Sequence, residues 1–198
     1  QTGYEVTVVC ERQLYEDEIK ESGAFVIPMS IKRHSKNPFT DLSMFWLFKK
    51  IIRKHRPDVV LTYNIKPNIY VGMVCRLFHI PYLTNITGLG TAVEYPGLMQ
   101  KITLLLYRIA LKEASCVFFQ NSENREFFTE NNIFCRRSIL LPGSGVNLGK
   151  YPVLEYPDTE EIHFLFVARI LKEKGIDQYL EAAREIRKEH KNVYFHVI

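Results

Sequence analysis

No two cysteines in this chain stand at C-x-x-C spacing. The four present, Cys10, Cys75, Cys116 and Cys135, lie far apart, and the stretches around the first three read as core. This argues against a disulfide framework and against a thiolate zinc site, so the thiols are read as reduced, in a cytoplasmic protein. Long apolar runs are lacking as well. None reaches the roughly 18 uncharged residues a membrane span needs, and no signal peptide opens the chain. The expectation is a protein that is soluble or lies on a membrane. Charge of one sign is scarce too: the net charge is +4, with basic and acidic residues interleaved, which leaves no nucleic-acid footprint. The six histidines form no H-E-x-x-H and have no cysteine at zinc spacing, so no metal site is expected. There is no internal repeat and no low-complexity segment.

What is present is globular. Hydrophobic residues make up 46% of 198 positions, enough for one full domain and part of another. Short apolar runs near 4–10, 24–29, 58–63, 82–87, 115–120 and 138–142 read as strands, and segments 41–55, 68–79, 97–114 and 122–132 as helices between them. Runs such as "DVVLTY" and "CVFFQN" are continuous rather than alternating, as parallel strands covered on both faces require. The alternation predicts an α/β, doubly wound parallel sheet. The stretch "YPVLEYPDTEE" then reads as a linker, after which "IHFLFVAR", a helix and "VYFHVI" begin the alternation again. Two domains are expected, 1–155 and 156–198, the second holding only a first βαβ unit. In its helix Ile176, Tyr179, Leu180, Ala183 and Ile186 form the apolar stripe. Strand character begins at residue 4 and ends in mid-strand at Ile198, which reads as a fragment whose first domain lacks its first strand.

In open α/β sheets ligands bind beyond the carboxyl ends of the strands. Four loops qualify. In "FVARILKEKG", Arg169 ends a strand and Lys174 stands where a helix starts, so both can converge on an anion that also meets the free N–H groups of the helix. A solvated basic turn is the alternative. "TGLGT" offers Thr87, Gly88 and Gly90 for close backbone approach, or simply a tight turn; Val93 stands where a dinucleotide fingerprint wants its third glycine. "NIKPN" places Asn64, Lys66 and Asn68 at another strand end, with Pro67 at or just before the first helical turn, where an asparagine could equally serve as a cap. "PGSGVN" brings Gly145 and Asn147, and reads also as a hinge. Glu173, Glu181 and Glu189 are read as solvated rather than catalytic, and the Asn85-Ile86-Thr87 acceptor pattern as chance in a buried strand.

Two helices have the composition of membrane-surface elements. "DLSMFWLFKKIIRKHR" sets Phe45, Trp46 and Phe48 beside Lys49, Lys50, Arg53, Lys54 and Arg56, and "GLMQKITLLLYRIALKEA" joins a wide apolar face to Lys101, Arg108 and Lys112. Packing on the sheet with a basic outer face accounts for the same pattern.

Taken together, "RPDVVLTYNIKPNIYVGMVCRLFHIPYLTNITGLGT", "CVFFQNSENREFF", "LLPGSGVNLGKY" and "FVARILKEKGIDQYLEAA" resemble the retaining glycosyltransferases of family four. Similarity is greatest to bacterial enzymes that build capsule, exopolysaccharide or glycan repeat units on a polyprenyl diphosphate. The resemblance implies the GT-B architecture of two Rossmann-like domains, and a donor that is a nucleotide-diphosphate sugar, UDP-linked, with no other cofactor. It implies that Arg169 and Lys174 hold the donor diphosphate and stabilise the departing nucleotide. Thr87, Gly88, Gly90, Gly145 and Asn147 would line the donor side of the cleft, and Asn64, Lys66 and Asn68 the acceptor side. A lipid-linked saccharide acceptor would place the protein at the inner face of the cytoplasmic membrane, touching it through the helices near 41–55 and 97–114.

The chain also departs from that pattern. Thr87 replaces a frequent histidine, Ala168 a common glycine and Ser144 a frequent asparagine. The acidic E-x7-E element of the family is not within the chain, so the fragment by itself is expected to be inactive. Two other readings fit the residues: a GT-B sugar-nucleotide epimerase, and a non-catalytic α/β binding module.

Overall fold

The structure, a computed structural model, describes residues 3–10, 16–29, 38–90, 93 and 96–198. In chain order the elements are β1 (Thr7–Cys10), α1 (Glu16–Glu21), β2 (Phe25–Pro28), α2 (Pro38–His55), β3 (Val60–Tyr63), α3 (Ile65–Phe78), β4 (Tyr82–Ile86), α4 (Leu98–Leu111), β5 (Cys116–Phe119), α5 (Ser122–Glu130) and β6 (Ser138–Leu140). Then follow β7 (Ile162–Phe166), a 3-10 turn (Lys172–Lys174), α6 (Ile176–Glu189) and β8 (Val193–Val197). Every strand pairing among the described residues is parallel. The chain is therefore α/β and Rossmann-like, as its alternation predicts. The described strands form three groups, β1-β2, β3-β4-β5-β6 and β7-β8.

Two compact units divide at Gly145 and Val146. The break lies ten residues before the expected 155, because the extended stretch from Val146, with Val153 99% exposed, clusters with the second unit.

In the first unit α3 is central. It begins at Ile65, so Pro67 is its third residue; a missing N–H in the first turn breaks no helical bond. The helix ends with His79 in the left-handed region, the Ile80 N–H reaching back to the Cys75 carbonyl at 2.9 Å as a Schellman motif does. Gly72 lets α3 and α4 approach: a Cβ there would stand 3.2 Å from the Ala110 carbonyl oxygen and 3.3 Å from the Tyr82 ring. The Tyr82 hydroxyl donates to that same Ala110 carbonyl. Beneath, Thr62 of β3 donates to the Thr84 hydroxyl of β4 at 3.2 Å, both buried. Tyr107 and Phe119 meet Phe128 edge-on, at 5.1 and 5.4 Å between centroids.

The expectation that "DVVLTY" is covered on both faces does not hold. Thr62 is buried, but Leu61 and Tyr63 on the opposite face are exposed, at 56% and 50%. Helices α3, α4 and α5 follow parallel crossovers of one hand and so cover one face only.

In the second unit α6 lies on the β7-β8 pair. Ile176 and Ala183 are buried, and the Tyr179 hydroxyl stands 3.0 Å from the Phe164 carbonyl and 2.9 Å from that of His196, donating to one at a time. Leu180, expected in the apolar stripe, is exposed instead.

Candidate functional site

Two of the four strand-end loops meet in the first unit. Gly90, with φ +67°, packs so closely on the first turn of α3 that a Cβ would lie 2.6 Å from Ile65 Cδ1. Only glycine combines that φ with that contact. Further along, the Val93 N–H donates to the Gly90 carbonyl at 3.0 Å, and Gln100 of α4 donates to the Val93 carbonyl at 2.7 Å. The loop after β4 is thus held between the first turns of α3 and α4. Thr87 and Gly88 are exposed at its crest.

The three residues of "NIKPN" part company. Asn64 is exposed, with φ 68°, and its side chain makes no cap bond, so the capping alternative is not what occurs there. Asn121 is the asparagine that caps, accepting from the Asn124 N–H at 2.8 Å. Asn68 lies inside α3 at 1% exposure, its amide donating to the Asn85 carbonyl at 3.0 Å.

Lys66 is half-buried and donates to Asp41 at 2.8 Å, which ties the start of α3 to the start of α2. Tyr70 joins them: burial, and then the Asp41 charge and its hydrogen bond, hold the phenol well above the ordinary tyrosine range. Asp41 and Tyr70 went unread in the sequence. An acid in the first turn of a helix needs no partner, since the helix dipole already favours it there, and a partner 25 residues away leaves no local signal.

In the second unit Arg169 and Lys174 are both exposed and flank one turn. Lys174 closes the 3-10 turn, with its N–H on the Leu171 carbonyl at 3.0 Å, and Gly175, φ 83°, leads into α6. No side chain caps α6, so its leading N–H groups face the turn. Among the described residues neither Arg169 nor Lys174 joins an ion pair, whereas Lys172 approaches Asp177 at 4.0 Å. The arrangement can receive an anion at a helix N-terminus flanked by two cations. Gly145, φ +68°, ends the first unit. Asn147 uses its side chain locally, accepting from the Gly149 N–H at 2.9 Å.

Residues 1–121 match the family described as glycosyl transferase 4-like. The chain is 24% identical, over 92% of its length, to N,N'-diacetylbacillosaminyl-diphospho-undecaprenol alpha-1,3-N-acetylgalactosaminyltransferase of Campylobacter jejuni, of which it covers 53%. Among solved structures it resembles a glycosyltransferase from Rickettsia africae, with TM-score 0.63 and 19% identity over 98% of this chain and 52% of that one. It also resembles a UDP-N-acetylglucosamine 2-epimerase, with TM-score 0.59 and 12% identity over 96% of this chain and 54% of that one. These likenesses are of fold, of the GT-B type. The chain spans about half the length of the relatives it matches.

Proposed function

Because the chain belongs to the glycosyl transferase 4-like family, we propose that the protein carrying it transfers a sugar from a nucleotide-diphosphate donor, UDP-linked, to a saccharide on a polyprenyl diphosphate. The reaction proceeds with retention at the anomeric carbon. One observation carries the assignment of roles: two exposed cations without an acidic partner among the described residues, Arg169 and Lys174, in the segment that leads from β7 into α6, whose start no side chain caps. Negative charge builds on the leaving diphosphate as the sugar gains oxocarbenium character, and cations fixed at a helix N-terminus lower the energy of that state. Thr87, Gly88 and Gly90 would lie along the transferred sugar, with Asn64 and Lys66 toward the acceptor and Gly145 and Asn147 at the junction of the units. The 198-residue chain alone would not turn over.

The acceptor's lipid gives the helices α2 and α4 a use. On α4 the apolar side chains of Leu98, Ile102, Leu105 and Ile109 are exposed at i, i+4, i+7, i+11 spacing. On α2, Trp46 is exposed with Lys49 Nζ 4.5 Å above its ring. Helices α2, α3 and α4 carry eight lysines and arginines against one acid, Asp41, which Lys66 already engages. No helix among the described residues is long and apolar enough to cross a membrane. These features suit contact with an anionic bilayer surface, at the inner face of the cytoplasmic membrane.

The test uses the full reading frame, with radiolabelled sugar from a panel of nucleotide sugars and polyprenyl diphosphate saccharides in membranes. Arg169→Ala and Lys174→Ala should each lower transfer by about a hundredfold with the fold intact by circular dichroism. Normal transfer in both variants removes the diphosphate role. Conversion of a UDP-sugar without any acceptor would favour the epimerase reading that the shared fold also allows. Consumption of no donor at all would leave a binding module.

A further inference from the structure

We propose that Asn68 is a positioning residue for the loop Thr87–Gly90, acting through the Asn85 carbonyl and not by touching a ligand. Asn68 is 1% exposed, so no substrate reaches it, yet it is polar and stands where α3, β4 and α4 converge. Its amide NH2 donates at 3.0 Å to the Asn85 carbonyl, next to the last residue of β4 and two residues before Thr87. That partner is a carbonyl, so the amide can face it only through its nitrogen. The Asn68 side chain also faces the buried Tyr107 phenol of α4: burial raises the pKa of that phenol, and the Asn68 amide partly offsets the rise. The Asn68 Oδ1 is left buried with no donor.

An orphaned buried oxygen is a cost that an apolar residue of the same size would avoid. What the amide supplies in return is a fixed end to β4. It acts together with the contact of Gly90 on Ile65, three residues earlier on the same helix. The first turns of α3 thereby grip the loop at both its ends, at Asn85 and at Gly90. Lys66, between these two grips, is itself held by Asp41. The helix start, the loop and the start of α2 form one coupled piece. That the loop then serves sugar transfer rests on the function proposed above; that Asn68 fixes the loop does not.

Amide exchange in the 198-residue chain tests the inference directly, read at Val93, whose N–H bonds the Gly90 carbonyl, with the buried sheet residue Thr84 as the global reference. In Asn68→Leu, exchange at Val93 should accelerate about tenfold, the worth of one net hydrogen bond, while Thr84 changes less than about twofold. The second variant keeps the test open should Asn68→Leu not fold. Asn68→Asp is isosteric, and its carboxyl can donate to the Asn85 carbonyl only when protonated. Val93 protection corrected for intrinsic exchange should therefore be near wild type at low pH and fall as the pH rises. The midpoint should lie above the ordinary carboxylic acid range, because burial disfavours the charge. Protection at Val93 that is unchanged in Asn68→Leu, or independent of pH in Asn68→Asp, overturns the proposal. In the longer protein, Asn68→Leu should raise the donor KM at least about tenfold, and the same low pH should restore it in Asn68→Asp. If the wild type transfers no sugar, the transferase reading fails and the exchange result still decides the role of Asn68.

Discussion

Ile65 Cδ1 lies 2.6 Å from the point where a β-carbon on Gly90 would fall, so a side chain at position 90 would push aside the tip of the first residue of α3. The contact joins two strand-end loops, 25 residues apart in the chain, into one surface.

Replacing Gly90 therefore has two separable effects. Gly90→Ala should lower unfolding stability by about 2 kcal/mol, part from steric conflict and part from the positive φ. Adding Ile65→Val removes the conflicting methyl and should recover roughly half, leaving the backbone strain. Urea midpoints of the three variants measure this. A double variant no better than Gly90→Ala would assign the whole cost to φ.

Gly72 tests the α3–α4 contact. Alanine gains up to ~1 kcal/mol of helix propensity over glycine. Here its Cβ would press on the Ala110 carbonyl at 3.2 Å and on the Tyr82 ring at 3.3 Å. Gly72→Ala should come out mildly destabilised despite that gain, and Gly72→Val should lose about 3 kcal/mol, by thermal or urea unfolding.

The hydroxyl pair Thr62 and Thr84 should behave non-additively. Thr84→Val leaves the buried Thr62 hydroxyl with only the Leu83 carbonyl at 3.4 Å, and should cost about 1–2 kcal/mol. The double change to valine should cost no more than the single one, because no polar group is then left unpaired. A double-mutant cycle with urea unfolding gives the coupling.

Alkaline stability should depend on Cys75. Burial pushes its thiol up from 9.0 to about 12. Between these values the unfolded chain loses the proton while the folded one keeps it. The stabilisation is present below pH 9 and fades as the pH rises toward 12, at ~1.4 kcal/mol per pH unit from this group. Cys75→Ala should flatten that part of the stability profile. Iodoacetamide at pH 8 should label Cys75 only after unfolding.

Much of the architecture was legible because its signals are local. The apolar runs of β3, β4 and β5 and the stripe of α6 appear within a few residues, and the four strand-end loops follow from parallel topology. Even so, "DVVLTY" did not reveal that Leu61 and Tyr63 are exposed, since a continuous apolar run says nothing about which face a helix covers. At the candidate site the sequence chose the loops but not the roles within them. Lys66 and Asn68 look alike as polar residues at a strand end, yet one is held by Asp41 and the other is buried under β4.

The sequence by itself determined the parallel α/β alternation, the existence of two units, and the cationic turn from Arg169 to Lys174, because each is written in consecutive residues through period, breakers and charge. Only the tertiary structure decided that Gly90 meets Ile65, that Asp41 engages Lys66 and Tyr70, and that the Asn68 amide is spent on β4. Those pairings span 17 to 29 residues and depend on how the helices lie across the sheet, which packing fixes and no local pattern encodes.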